Sequence, residues 1–221
     1  MAQSREQLAS SLAESVAEAL RTDLAEQERA LLIVSGGSTP LPFFEALSRQ
    51  SLEWERVDVT LADERWVDES ADDSNTRLVK QHLVQNNAAK ATFIPLTTGD
   101  KTPEEGVPAL EESVSRLNWP ASVVILGMGG DGHTASLFPD SPQLEEGLTT
   151  TKPLLAVHAP SVPQARISFS RHQLAQAKRH YIHLTGDEKR AVFSQAFAGD
   201  DVHEAPIRAF MKQPLALYWA P

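Results

Sequence analysis

Residues 121–139 read ASVVILGMGGDGHTASLFP, and the fold turns on how this stretch divides. Its first part, Ala121 to Leu126, is short, apolar and rich in β-branched side chains, which predicts a buried strand. The four glycines between Gly127 and Gly132 then release the chain into a loop where backbone N–H groups can approach a ligand closely. That loop carries Asp131 and, two residues on, His133. An imidazole is well suited to proton transfer near neutral pH, and a nearby carboxylate can orient it and raise its basicity. The stretch therefore predicts a catalytic centre at the carboxyl end of a strand.

Two other readings compete for the same residues. Gly127, Gly129 and Gly132 spell G-x-G-x-x-G, but a dinucleotide fingerprint must open a helix and be followed about twenty residues on by an acid. Here Pro139 and Pro142 interrupt any helix, and residues 149–152 are Thr-Thr-Thr-Lys. The plainer alternative is a Gly-rich turn whose histidine only caps or packs.

Outward from this stretch, strand-like runs alternate with helical ones. Leu8, Leu12, Val16, Leu20 and Leu24 recur at helical spacing. Apolar runs at 30–34, 57–61, 154–158, 166–170, 181–185 and 215–219 read as strands. Helices are expected after Pro40, from Ser74-Asn75 to about Gln85, from Thr102 to about Leu117, and from about Lys189 to Phe197. The alternation predicts an α/β fold with a largely parallel sheet covered on both faces. No repeat, low-complexity tract or Gly/Ser linker interrupts it, so residues 1–221 are expected to form a single domain.

Composition narrows the function classes. A net charge of −10 argues against general nucleic-acid binding, which needs a basic face. It leaves room for a phosphorylated substrate, because a few local cations outweigh distant charge. With no cysteine there is no disulfide, thiol nucleophile or thiolate metal site. The charged N-terminal stretch Ser4–Gln27 is unlike a signal peptide, and no apolar run is long enough for a membrane span. A cytoplasmic protein is expected.

Three strand ends carry reactive-looking loops, and open α/β sheets bind ligands beyond the carboxyl ends of their strands. Ser35-Gly-Gly-Ser-Thr39 offers small residues and hydroxyls before a helix N-terminus, which favours an anion. It lacks the lysine of a Walker loop, so a phosphate monoester fits better than a nucleoside triphosphate. Asp63-Glu64-Arg65 follows the 57–61 strand. Its guanidinium suits a phosphate or carboxylate, the plain alternative being a surface ion pair with Asp63 or Glu64. Lys189 opens a helix, where the dipole does not favour a cation unless an anionic ligand is present. His180 and His183 lie three apart on a strand and so point to opposite faces. No protein-bound catalytic metal and no cofactor are expected.

Together, Ser35–Pro40, Asp63–Val67, Ser74-Asn75, Gly127–Pro139, Arg166–Ser170 and Gly186–Lys189 resemble the 6-phosphogluconolactonase family in kind and order. The resemblance implies a Rossmann-like three-layer α/β domain shared with glucosamine-6-phosphate deaminases and ribose-5-phosphate isomerases. It also implies hydrolysis of 6-phospho-D-glucono-1,5-lactone to 6-phosphogluconate in the oxidative pentose phosphate pathway. By motif, His133 would be the acid/base and Asp131 its neighbour. Gly36, Gly37, Ser38, Thr39, Arg65 and Lys189 would line the phosphate end. Asp63, Gly129, Gly130 and Arg166 would complete the substrate site. A monomer or small homo-oligomer acting on a small phosphorylated lactone is expected, with no nucleic-acid or membrane partner. The rival deaminase motif has glutamate before the proline and tyrosine after Asp-Glu, where this chain has Phe138 and Arg65. A second rival is a non-catalytic sugar-phosphate sensor, which would keep the fold and dispense with the chemistry.

Overall fold

The computed structural model describes residues 4–221. Its first half contains α1 (Arg5–Leu24), β1 (Ala30–Val34), α2 (Leu41–Ser48), β2 (Val57–Leu61), β3 (Asp63–Arg65), α3 (Asn75–His82), β4 (Thr92–Ile94) and α4 (Pro103–Ser115). There follow β5 (Val123–Leu126), α5 (Leu144–Thr149), β6 (Leu154–Val157), β7 (Arg166–Phe169), α6 (Arg171–Leu174), β8 (His180–Thr185), α7 (Asp187–Ala198) and β9 (Leu215–Ala220). Capping side chains set several starts. Ser4 Oγ accepts from Gln7 N at 3.2 Å for α1, and Ser74 Oγ from Arg77 N at 3.1 Å for α3. Thr102 caps α4 in the same way, with Pro103 in its first turn, where the missing donor costs little.

The main sheet has six strands in the order β4-β2-β1-β5-β8-β9, and every neighbouring pair is parallel. Every residue of β1, β2 and β5 is buried, as strands covered on both faces require. The result is a three-layer α/β fold. From β1 the chain moves to β2 on one side, and later to β5 on the other. That reversal opens a crevice beyond the carboxyl ends of β1 and β5, where such folds place a ligand.

Two expected strands lie elsewhere. β6 and β7 do not join the parallel sheet but pair antiparallel in a separate sheet of order β3-β7-β6. Its third member, β3, falls where the sequence predicted only a loop. The hinge is Ala62: its N–H donates to Val34 O at 2.8 Å and ends the parallel ladder. Its carbonyl accepts from Phe169 N at 3.0 Å and starts the antiparallel one. Hydrophobic pattern reports that a strand is buried, not which strand it pairs with. Short elements also escaped the pattern, namely β4, α5 and α6, and α3 stops at His82, three residues before the expected end. Phe169 of the second sheet belongs to the same apolar cluster as β1, β2, β5, Phe43 and Phe44, so the two sheets share a core.

Candidate active site

The strand β5 delivers Gly127–Phe138 to the crevice, and this loop is held by its own backbone. Gly129 N donates to His133 O at 2.8 Å, and Thr134 Oγ1 to Gly127 O at 2.8 Å. Asp131 Oδ1 accepts from His133 N at 3.1 Å and lies 2.6 Å from His133 Nδ1. A Cβ at Gly129 would collide with both side chains of this pair, so glycine is what lets the pair fold over the loop. Gly132 has φ 80°, and a Cβ there would come within 2.9 Å of Ala205. Ala135 is buried with φ 48°, a left-handed conformation that costs a non-glycine residue about 1–3 kcal/mol and is concentrated at functional sites.

Burial raises the Asp131 carboxyl, but its hydrogen bond to His133 and the imidazole charge outweigh this and hold it below the usual carboxylate range. An ionised Asp131 accepts from Nδ1–H, which leaves the lone pair on Nε2. The other face of the imidazole is covered by Phe138, with ring centroids 4.3 Å apart.

The opposite wall comes from the second sheet. Arg65 of β3 and Arg166 of β7 are direct cross-strand partners, which sets two like charges side by side. Arg65 Nη1 donates to Asp73 O at 2.6 Å, and Arg166 lies over the Phe138 ring at 5.6 Å. The Nε atoms of both guanidiniums are buried without a hydrogen-bond partner among the described residues. Burial lowers the pKa of Arg166; Asp63, with Oδ2 3.8 Å from Nη1, opposes that shift.

Neither neighbouring acid neutralises Arg65, and here the surface ion-pair alternative is overturned. Glu64 is fully buried and turns to the N-terminus of α3. Its Oε1 accepts from Arg65 N at 2.7 Å and Asn75 N at 2.9 Å, and its Oε2 from Thr76 N at 2.6 Å. Burial lifts the Glu64 pKa, and these N–H bonds offset part of the rise. Asp63 accepts from Ser136 Oγ at 2.5 Å, tying the second sheet to the loop that carries His133.

The β1 loop closes the third side. Ser35 Oγ donates to Ile125 O at 3.0 Å and accepts from Gly127 N at 3.3 Å, so it fastens this loop to the next. Gly37 has φ 90°, which a side chain would strain. Lys189 enters from the first turn of α7, and a Cβ on Gly130 would lie 3.9 Å from its Nζ. No carboxylate lies within ion-pair distance of Lys189 among the described residues.

Of the residues expected from sequence, Gly36, Gly37, Thr39, Asp63, Arg65, Gly129, His133, Arg166 and Lys189 all line one cleft, whereas Gly130 is not among its lining residues. Asp131 reaches it through His133. Ser38 borders a smaller adjoining cavity instead. Sequence reasoning singled out Asn75 only as part of a helix start and family motif, and missed that its side chain packs over Gly36; it also missed the stacking role of Phe138. It also missed His183, which lines the cleft while His180 bonds Leu174 O at 2.9 Å. Among the described residues no three His, Asp or Glu side chains converge to hold a metal, and no helix is long and apolar enough to cross a membrane.

The chain as a whole is similar to known proteins. Residues 3–219 match the family profile described as glucosamine-6-phosphate isomerases/6-phosphogluconolactonase. A Pseudomonas aeruginosa 6-phosphogluconolactonase is 46% identical over 95% of this chain and 89% of its own length. The crystal structure of a 6-phosphogluconolactonase from Shewanella baltica superposes with a TM-score of 0.98 at 42% identity, covering 100% of this chain and 96% of the other. A monomeric glucosamine-6-phosphate deaminase shares the fold, with a TM-score of 0.82 at 16% identity over 99% of this chain and 95% of its own.

Proposed function

The chain belongs to the glucosamine-6-phosphate isomerase/6-phosphogluconolactonase family, and from that premise we propose how its cleft works. It hydrolyses 6-phospho-D-glucono-1,5-lactone to 6-phospho-D-gluconate in the oxidative pentose phosphate pathway. The observation that carries the mechanism is the 2.6 Å Asp131–His133 pair, facing two guanidiniums whose Nε atoms have no partner among the described residues.

Water attacks the lactone carbonyl while His133 Nε2 takes its proton. The new C–O bond gives a tetrahedral oxyanion. Gly129 N–H is already committed to His133 O, so the charge is left to other backbone N–H groups of the glycine loops that line the cleft. The C–O bond to the ring oxygen then breaks as the imidazolium returns its proton to that oxygen. The carboxylic acid released loses its proton to solvent. Asp131 fixes the tautomer and supports the imidazolium through Nδ1.

Arg65, Lys189 and the Gly36–Thr39 loop before α2 hold the 6-phosphate, while Arg166, steadied by Asp63, closes the wall near the sugar. All of these groups come from one chain, 1–221, which acts as a single domain around the cleft. No cofactor enters any step, and the site belongs with the sugar-phosphate pool of the cytoplasm.

The deaminase alternative fits less well. Where that branch places an assisting glutamate, Phe138 stacks on His133 and lies under Arg166. The test is paired: stopped-flow hydrolysis of freshly generated lactone, and ammonia release from glucosamine 6-phosphate. Rapid hydrolysis with no ammonia is expected. Ammonia release would move the chain to the deaminase branch, and the absence of both would make it a sensor.

A further inference from the structure

Lys189 lines the cleft from a place that does little to hold it. It is the third residue of α7, half-buried, at a helix end where the dipole disfavours a cation. The turn before it is loose by itself. Gly186, at the N-cap, has φ 89° and ψ 150°, a region essentially closed to other residues, and no side chain caps the helix start.

What fixes this turn is the last strand. β9 pairs with β8 in parallel register, Leu184 with Trp219 and Thr185 with Ala220. Beyond the ladder, Gly186 N donates to Ala220 O at 2.9 Å, and Gly186 O accepts from Trp219 Nε1 at 2.9 Å. The same carbonyl accepts from Arg190 N at 3.3 Å, closing the first helical turn around Lys189. Trp219 is itself well anchored: it is 7% exposed and shares an apolar cluster with Leu184, Phe193 and Met128. The exposed Arg190 lays its guanidinium over the indole, 4.6 Å from the ring centroid. Two adjacent cations are thereby sorted. The indole takes Arg190, and Lys189 is the one left for the cleft.

We propose that Trp219, which is not among the residues lining the cleft, is a positioning residue for Lys189, and that through it the last strand sets the preference for a phosphorylated lactone. This rests on Lys189 holding the 6-phosphate, as in the proposed binding mode. The indole touches neither substrate nor reacting atoms; it acts only by fixing Gly186 and drawing Arg190 aside.

The experiment compares kcat/KM for the phosphorylated and the plain 1,5-lactone by stopped flow. Trp219→Phe keeps a ring for Arg190 but has no N–H. It lowers the ratio of the two about three- to tenfold, and the loss falls on KM of the phosphorylated lactone. A merely loosened strand would impair both lactones alike. Lys189→Ala lowers the ratio by about tenfold or more, and in that background Trp219→Phe adds nothing, because the two act as one. Tyr218→Phe, one residue earlier in β9, loses its bond to Ser15 and leaves the ratio at the wild-type value. Should Trp219→Phe not fold, the exposed Arg190→Lys decides: it keeps the charge, loses the planar stack and lowers the ratio about twofold or more. The proposal is overturned if the deciding variant keeps the wild-type ratio, or lowers it as much in Lys189→Ala as in the wild type. A reduced ratio in Lys189→Ala then shows that the reading of the cleft stands without it. If Lys189→Ala keeps the wild-type ratio, the reading of Lys189 fails and takes this proposal with it.

Discussion

Removing the imidazole tests the chemistry most directly. General acid–base groups commonly contribute about 10²- to 10⁴-fold, so His133→Ala should lower kcat by that order while 6-phosphogluconate affinity stays near wild type. Stopped-flow turnover together with product titration checks both halves, and near-wild-type kcat would remove His133 from the mechanism. Arg65 tests recognition. A charge-assisted hydrogen bond is worth about 1.5–3 kcal/mol, so Arg65→Ala should narrow the kcat/KM preference for the phosphorylated over the plain lactone by at least about tenfold. Lysine at 65 should restore only part, because a point charge cannot reproduce the planar fork. An unchanged ratio would free Arg65 of the phosphate. The contact of Asp131 with His133 was legible because they are two residues apart on a glycine loop, so their meeting is a local matter. The partnership of Arg65 with Arg166 was not, since it joins residues a hundred positions apart through strand register. Nor was the inward turn of Glu64, which depends on three backbone donors brought together only by folding.

Among the elements, the weak joint is the one between the His133 loop and the second sheet. Ser136 Oγ donates to Asp63, and Ser136 N donates to Ser168 Oγ at 3.2 Å, so one serine binds β3 and β7 to the loop. Ser136→Ala leaves a buried carboxylate short of a donor, which should cost about 1–3 kcal/mol in urea unfolding. It should also lower kcat, because the wall carrying Arg166 is no longer fixed to the loop carrying His133. A variant with wild-type stability and kcat would show the joint to be idle. The strands themselves were legible from their apolar runs: β1, β2, β5, β8 and β9 fall where sequence put them, within a few residues. Membership of the second sheet was not, because the switch at Ala62 is a matter of two backbone hydrogen bonds made by a residue with no distinguishing side chain.

For the whole molecule, buried histidines set the acid limit. The folded chain holds His183 at a pKa of about 4 against an ordinary 6.5, and burial also lowers His180, against its bond to the Leu174 carbonyl. At these two histidines, between those two values, the unfolded chain binds more protons than the folded one. Stability should therefore fall as pH drops from 6.5 toward 4, by about 3 kcal/mol for His183 when complete. Urea midpoints across this range measure the slope. His183→Phe should flatten it, leaving the His180 share, and an unaltered slope would contradict the assignment. A different consequence follows from the two opposed guanidiniums of β3 and β7. With the cleft empty, their repulsion is a tension in the second sheet that Asp63 offsets only from the Arg166 side. In the proposed binding mode the phosphate on Arg65 would relieve it, so the substrate would double as a keystone, and a chain in steady use should be sturdier than one at rest. Dissolved salt then has two faces: by screening charge it steadies the vacant molecule and loosens the occupied one.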